Sequence, residues 1–370
     1  MKLKIMGLIF VLLIAGMFML VGCGDDADDT AVEPVEPTDD NGEEREQVRV
    51  TIVAARPGDS WNVLSHALAS FINQQSDFVR AEVLPSAGVA DATRTVMGDD
   101  EMRKNSVVVT MLPGADIWGE EVDPYYYPKK IASIQLLEET WVTYDPDIKT
   151  IADFEGKTIA LPRDVPFLYT WLFANWIDLH GVEDYNLVHG GIGARVDALR
   201  DGAADIATMP FDFYYPDEFD ISGEMMELEA RGTLYFPNQG NVAENVNLIA
   251  EACKTDPFEG EYALPTLAKI MPPGSLGEEQ AEELAYVSTP IYWAAGEEVD
   301  EDIVYEITRI IYEHARSGAF VPYHAVGKGV TEEFVRTSFW ITEEEQMANY
   351  HPGALRFYQD NDLELRTYMD

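Results

Sequence analysis

Apolar and polar positions alternate along the middle of the chain in a repeated order of strand, loop and helix. The first unit starts with the apolar-rich run 48–55 and continues, after a Pro-Gly turn, into apolar positions of helical spacing over 61–73. Strands over 78–84 and 106–111 and a short helix over 89–97 complete it. This pattern predicts an α/β unit whose loops lie at the carboxyl ends of its strands, where ligands bind in open α/β sheets.

A second unit of similar build follows. It has a short helix and turn over 151–157, a strand over 158–161 and a helix over 167–180. A further helix over 195–200 and a strand over 204–209 come next, in the order in which the first unit places its last helix and strand. The two units predict two α/β domains of similar architecture.

The last part of the chain is less regular but has clear elements. The apolar and aromatic run 286–294 predicts a strand that crosses between the domains. An acidic first turn followed by apolar positions of helical spacing predicts a helix over 300–315. Shorter helical segments are expected near 331–337 and 342–349.

The chain is therefore expected to cross twice between its two domains. Domain I is predicted to comprise residues 48–144 and 288–370, and domain II residues 145–287. Two crossings form a hinge with a ligand cleft beside it. A ligand would close the hinge by making contacts that exist only in the closed state.

The first residues have the pattern of an export signal. A short positive start precedes the almost purely apolar run 8–21, and small residues lead into Cys23. This junction resembles the lipobox of bacterial-type lipoproteins. The resemblance implies a signal peptide over 1–22, a lipid on Cys23 and anchoring to the outer face of the cytoplasmic membrane. A signal anchor with an incidental cysteine is the alternative.

Residues 23–47 form a strongly acidic segment. Residues 24–47 include 11 acidic residues, one basic residue and no aromatic residue. Such a segment cannot bury a core, and its like charges keep it extended. We interpret it as a flexible tether that holds the folded body away from the membrane. An acidic interaction tail is the alternative.

Charge and composition exclude several classes of protein. The chain has 67 acidic and 25 basic residues and a formal net charge of −42, so a generic nucleic-acid binder is not expected, because binding needs a basic face that neutralises phosphates. A surface this acidic is typical of a protein that works outside the cell in salty water. Two cysteines exclude a disulfide scaffold, and the six histidines have no metal-binding spacing. We expect no metal and no cofactor.

Sequence motifs of common enzyme classes are also missing. The chain has no G-x-S-x-G elbow, no Walker loop and no glycine fingerprint for a dinucleotide at the start of the body. We therefore expect no catalytic residues and no enzyme activity. A secreted hydrolase with an unrecognised dyad is the alternative.

Four segments of the body resemble a known family. They are 151–160 (IADFEGKTIA), 199–207 (LRDGAADIA), 302–307 (DIVYEI) and 351–358 (HPGALRFY). With the order of the units over 48–360, they resemble the TAXI-type solute-binding proteins of TRAP (tripartite ATP-independent periplasmic) transporters. This resemblance implies a two-domain, periplasmic-binding-protein-like (type II) α/β fold with an interdomain cleft.

The same resemblance implies a ligand and partners. The ligand would be a small organic anion of the glutamate or 2-oxoglutarate kind, and the partners would be the large and small membrane subunits of a TRAP permease, separate or fused. A substrate-binding lipoprotein of an ATP-driven importer or of a sensor would share this architecture, and it is the alternative.

Three loops, 56–61, 85–91 and 163–169, are expected to face one cleft. Helix N-termini in these loops offer backbone N–H groups that favour a carboxylate. Arg56 and Arg163 are the basic side chains of the loops, and arginine suits the bidentate capture of a carboxylate. Surface pairing with a neighbouring aspartate, Asp59 or Asp164, is the alternative.

Aromatic and acidic side chains complete the predicted site. Trp61 stands where the family has a loop tyrosine, and it would form a pocket wall with other aromatic rings. Asp91 and Asp116 would bind an ammonium group or orient a hydroxyl if they face the cleft, and helix capping is the alternative for both. The full set of candidate ligand residues is Arg56, Gly58, Ser60, Trp61, Gly88, Asp91, Arg163, Phe167, Tyr169 and Phe211.

Overall fold

The computed structural model describes residues 46–111, 128–162, 168–237, 242–254, 268–340 and 342–368. These residues belong to one compact unit. Among them, no helix combines the length and the apolar composition that crossing a lipid bilayer requires.

Strands and helices alternate through most of this unit. The strands are β1 (Val48–Val53), β2 (Val79–Leu84), β3 (Ser106–Met111), β4 (Lys129–Thr143), β5 (Thr158–Leu161), β6 (Asn186–His189), β7 (Ile206–Tyr214), β8 (Glu218–Asp220), β9 (Ala268–Met271), β10 (Leu284–Ala295), β11 (Thr337–Ser338) and β12 (Arg366–Thr367). The helices are α1 (Ser60–Gln75), α2 (Val89–Met97), α3 (Asp100–Asn105), α4 (Leu168–Leu179), α5 (Ile192–Arg200), α6 (Gly223–Glu229), α7 (Val242–Lys254), α8 (Glu301–Arg316), α9 (Glu332–Val335), α10 (Glu343–Asn349) and α11 (Pro352–Asp360). Short 3-10 helices cover Ile151–Phe154 and Ala325–Gly329.

One mixed sheet contains two halves with the same strand order. The first half has the order β2-β1-β3-β10, and the second half has the order β6-β5-β7-β4. In each half the first three strands are parallel and the fourth is antiparallel to its neighbour. The predicted α/β class is confirmed, and the repeated order agrees with the two similar units expected from the sequence.

Strands β4 and β10 join the halves. They pair with each other in an antiparallel ladder, and β4 also pairs with β7 from Glu138 to Thr143. The Ser288 hydroxyl on β10 donates a hydrogen bond to the Glu138 carboxyl on β4 at 2.8 Å. Burial raises the pKa of Glu138 well above its usual range. The predicted strand over 286–294 is confirmed as β10, and its crossing between two domains stays a prediction, as do the domain boundaries.

The hydrophobic core covers both faces of this sheet. Trp141, Trp176 and Trp293 are fully buried on the face that α1, α4 and α8 cover. Val108 and Met209 are buried on the opposite face, against α2, α5 and α6. Removal of this apolar surface from water stabilises the layered arrangement.

Strand β7 is longer than predicted. The sequence pattern ends a strand at residue 209 and places the aromatic residues after it in a loop. In the structure β7 continues to Tyr214, because Phe211 still pairs with β4 and Asp212 to Tyr214 pair with β8. Two antiparallel partners supply backbone hydrogen bonds that the local pattern did not indicate.

Candidate ligand-binding site

Arg56 lies in the loop after β1, at the carboxyl end of that strand. Its side chain is 46% exposed, and its Nε lies 3.6 Å from the Asp59 Oδ2. The surface pair named above as the alternative for Arg56 is therefore present. A pair this long and this exposed contributes little free energy, so the guanidinium can still bind another anion.

Arg56 also lies beside a glycine from each half. A Cβ atom at Gly88 would lie 4.0 Å from Arg56 Nε, and a Cβ atom at Gly191 would lie 4.0 Å from Arg56 Nη1. Gly88 precedes α2 in the first half, and Gly191 precedes α5 in the second half. The guanidinium thus lies where the two halves meet, next to two helix N-termini.

Three helices begin around this loop without a side-chain cap. The N-cap residues of α1, α2 and α5 are Asp59, Gly88 and Gly191, and none of them accepts a capping hydrogen bond with its side chain in the described structure. The first backbone N–H groups of such helices favour an anion, and the helix dipole adds to the attraction. Together with Arg56 they form a cationic site in a strongly acidic protein.

Asp91 has a structural contact within its own loop. Its Oδ2 accepts a hydrogen bond from the Ala87 backbone N–H at 3.0 Å, which closes the turn before α2. Gly58 has a φ of +95°, a left-handed conformation that favours glycine. Both residues shape the loops that hold the helix N-termini.

Ser60 and Trp61 converge on a residue that the sequence analysis missed. The Trp61 indole Nε1 donates a hydrogen bond to Gln135 Oε1 at 2.6 Å, and the Ser60 hydroxyl donates to the same atom at 3.3 Å. An indole N–H can only donate, so the amide oxygen of Gln135 must face it. Gln135 lies in β4, and its place beside Ser133 as a polar residue in the otherwise apolar run 131–137 was the one signal for it.

A small cavity lies on the other side of Gln135. Its volume is about 10 Å³, and its lining includes Ile134, Gln135, Asp212, Phe213 and Phe334. Burial raises the pKa of Asp212, and the nearby carboxylates of β8 and α6 raise it further. Tyr214 and Tyr215 line it as well, so the cavity combines an amide, a carboxyl group and two tyrosines with apolar residues.

A buried ion pair fixes the start of α5. Arg195 donates to both carboxylate oxygens of Glu139 on β4, at 2.8 and 3.0 Å, and to the Thr208 carbonyl at 2.5 Å. Both charged side chains are 3% exposed. This contact holds α5, with Gly191 at its N-terminus, against the strand that joins the two halves.

The remaining predicted residues are placed differently. Phe211 is 1% exposed in β7, and its ring packs edge-on against Tyr286 with centroids 5.1 Å apart. Arg163, Phe167, Asp116 and the side chain of Tyr169 lie outside the described residues, as does Cys23. Among the residues that the structure describes, no group of three or more His, Cys, Asp or Glu side chains could hold a metal ion.

Comparisons with known proteins give one family match and several distant structural likenesses. Residues 246–361 match the model of the NMT1-like family. A periplasmic sulfonate-binding protein, SsuA from Methylobacillus flagellatus KT, is 14% identical, with 85% of this chain and 88% of that chain covered and a TM-score of 0.48. MatC from Rhodopseudomonas palustris with bound malate is 13% identical, with coverages of 71% and 85% and a TM-score of 0.41.

A third solved structure is similarly distant. XAC2383 from Xanthomonas citri bound to ATP is 8% identical, with 85% of this chain and 99% of that chain covered and a TM-score of 0.45. At these scores the structural likenesses do not identify a ligand. The matched family is NMT1-like over less than half of the chain, and the TAXI type stays a prediction.

Proposed function

We propose that this chain is an exported solute-binding protein that captures a small organic anion and delivers it to a membrane transporter. The observation that carries the proposal is the position of Arg56 beside Gly88 and Gly191. Guanidinium and helix N–H groups are the donors that a carboxylate needs. The proposal assigns binding to this site and no reaction.

Binding between the halves would couple capture to closure. A carboxylate beside Arg56 would contact the N-terminus of α2 from the first half and that of α5 from the second half. A ligand that contacts both halves stabilises the arrangement in which they lie close together. Strands β4 and β10, which join the halves, would take up the motion as a hinge.

Two kinds of transporter are candidates for the partner. The NMT1-like match over residues 246–361 favours an ATP-driven importer, named above as the alternative, over a TRAP transporter. The genes beside this one distinguish them, because an ATPase gene indicates an ATP-driven importer. A large multi-span permease with a small four-span subunit indicates a TRAP transporter.

Lipid anchoring at Cys23 belongs to the same proposal. A Cys23→Ser chain should leave the membrane fraction or accumulate as an unprocessed precursor, as seen by fractionation and intact mass. Normal processing and membrane retention of that variant would rule out the lipid anchor.

Replacement of Arg56 tests the binding site directly. Isothermal titration calorimetry of the purified chain against a panel of organic anions should identify a ligand, and Arg56→Ala should weaken its binding by about tenfold to hundredfold. Arg49→Ala is the matched control, because Arg49 is an exposed arginine on β1. Equal binding by the Arg56 and Arg49 variants would contradict the site, and a cationic or uncharged solute would contradict the anion.

A further inference from the structure

The crossing strand β4 is irregular where it passes the candidate site. Its ladder with β10 pairs Ile291 with Gln135 and Tyr292 with Ser133, so Ile134 is an extra residue without a partner. This is a β-bulge, a feature that bends a strand and changes the direction of its side chains, often beside functional sites. Ile134 and Gln135, at this bulge, both line the cavity described above.

The orientation of the Gln135 amide follows from its partners. Its oxygen accepts hydrogen bonds from Trp61 and Ser60, so its NH₂ group points away from these two donors. Within the described part of the chain, no acceptor lies within hydrogen-bond distance of this NH₂ group. Among the described residues, the two N–H donors of the Gln135 amide are therefore without a partner.

Asp212 supplies the complementary acceptor. Asp212 also lines the cavity, and within the described residues no hydrogen bond or ion pair reaches its carboxyl group. An ionised carboxylate can only accept hydrogen bonds. The Gln135 amide donors and this acceptor thus border a space of about 10 Å³, which has room for about one oxygen-sized group.

A hydroxyl group satisfies both side chains at once. Its oxygen accepts from the Gln135 NH₂ group while its hydrogen is donated to Asp212. A ketone oxygen would leave Asp212 without a donor, and an ammonium group would face the amide N–H of Gln135. A methylene group would leave both part-buried groups without a partner in the complex, which costs binding free energy.

We propose that Gln135 and Asp212 bind a hydroxyl group of the solute, so that the protein selects hydroxylated organic anions over their deoxy and keto counterparts. The inference rests on the proposed function, with the carboxylate of the solute beside Arg56. Trp61 connects the two positions, because it belongs to the Arg56 loop and contacts Gln135 directly. The competing arrangement is a cavity that holds only a water molecule.

Matched pairs of anions test this selectivity. The full chain, purified in detergent, is titrated calorimetrically with malate and succinate, 2-hydroxyglutarate and glutarate, and lactate and propionate, with 2-oxoglutarate as the keto compound. The hydroxylated member of at least one pair should bind at least about tenfold more tightly than its deoxy member. Equal binding within every pair would mean that the cavity holds only water, and it would overturn the inference.

Two variants assign the preference to the named residues. Gln135→Glu keeps acceptor oxygens for Trp61 and Ser60 but removes the amide donor, and Asp212→Asn removes the carboxylate with little change of shape. Each should reduce the preference for the hydroxylated anion to about twofold or less. Asp217→Asn is the control, because Asp217 is exposed in the turn between β7 and β8, and it should keep the full preference.

The outcomes separate this inference from the proposed function. If an anion binds in a way that depends on Arg56 but the hydroxyl has no effect, the hydroxyl site is wrong and the anion site stands. If the preference survives in both Gln135→Glu and Asp212→Asn, with melting temperatures that show folded proteins, the residue assignment is wrong. If no anion of the panel binds, both proposals fail.

Discussion

In the first half of the sheet, the candidate-site arginine, Arg56, is 46% exposed, and among the described residues its ion pair is a 3.6 Å contact with Asp59. In the second half, Arg195 is 3% exposed and makes a two-bond contact with Glu139. The halves share one strand order, yet one arginine is accessible to solvent and the other is buried in an ion pair. Burial and partners, rather than residue type, decide which arginine can bind a solute.

The two halves are therefore expected to contribute differently to anion binding and to stability. In the proposed site, the first half would supply donors from the loop after β1, and the second half would supply the N-terminus of α5, which the buried ion pair holds in place. Substitutions beside Arg56 should therefore mainly weaken anion binding. Substitutions in the buried ion pair should mainly lower the free energy of unfolding.

The largest expected effect is on the buried pair. Arg195→Ala leaves the Glu139 carboxylate buried without its partner, so the free energy of unfolding should fall by about 3–5 kcal/mol. Urea unfolding followed by circular dichroism measures this change. Replacement of both residues, Arg195→Met with Glu139→Leu, should cost clearly less. If Arg195→Ala had the same free energy of unfolding as the unmodified chain, the buried pair would not stabilise the fold. The contrast drawn between Arg195 and Arg56 would then be wrong.

Low pH should lower the free energy of unfolding through His351, the N-cap residue of α11. Burial lowers the pKa of His351 to about 4, and its Nδ1 accepts the capping hydrogen bond from the Gly353 N–H at 3.1 Å. Between about pH 6.5 and pH 4 the unfolded chain binds a proton that the folded chain does not. The free energy of unfolding should therefore fall as pH falls through this window, by about 3 kcal/mol at pH 4.

His351→Asn isolates this contribution. Asparagine caps a helix without titrating, so the variant should lose the part of the acid dependence that His351 causes. Unfolding curves of both proteins at pH 7, 6, 5 and 4 provide the comparison. The same pH dependence in both would show that His351 is not protonated on unfolding.

A smaller effect tests the contact between Arg56 and the second half. Gly191→Ala places a methyl group about 4.0 Å from Arg56 Nη1, and Gly191 has an ordinary negative φ of −66°. The change should weaken anion binding severalfold, with a loss of stability of about 1 kcal/mol, because alanine is a poorer N-cap residue than glycine. Gly193→Ala is the control in the same helix, since nothing lies within 4 Å of its added methyl group. Identical titrations for both variants would place the ligand away from α5.

Most elements of the first half could be predicted from local patterns. The predicted strand over 106–111 and helix over 89–97 agree with β3 and α2, because apolar spacing and turn residues act over neighbouring positions. Strand β4 was not predicted. Glu138 and Glu139 interrupt its apolar pattern, and their partners Ser288 and Arg195 lie 150 and 56 residues away in sequence.

The candidate site was predictable in part for the same reason. Loop position and residue type were enough to select Arg56, Ser60, Trp61 and Gly88. Gln135 could not be selected, because its role depends on a bulge and on a contact with Trp61 across 74 residues of sequence.

The sequence by itself determined the α/β class and the loop that carries Arg56, since hydrophobic periodicity and turn chemistry are local properties of the chain. Only the tertiary structure decided that Gly191 lies beside Arg56 and that Arg195 forms a buried ion pair with Glu139. It also decided that Gln135 and Asp212 line one cavity. These relations depend on how strands β4, β7 and β10 pair across long sequence separations. Such pairing is set by the packing of the whole sheet and not by any short segment.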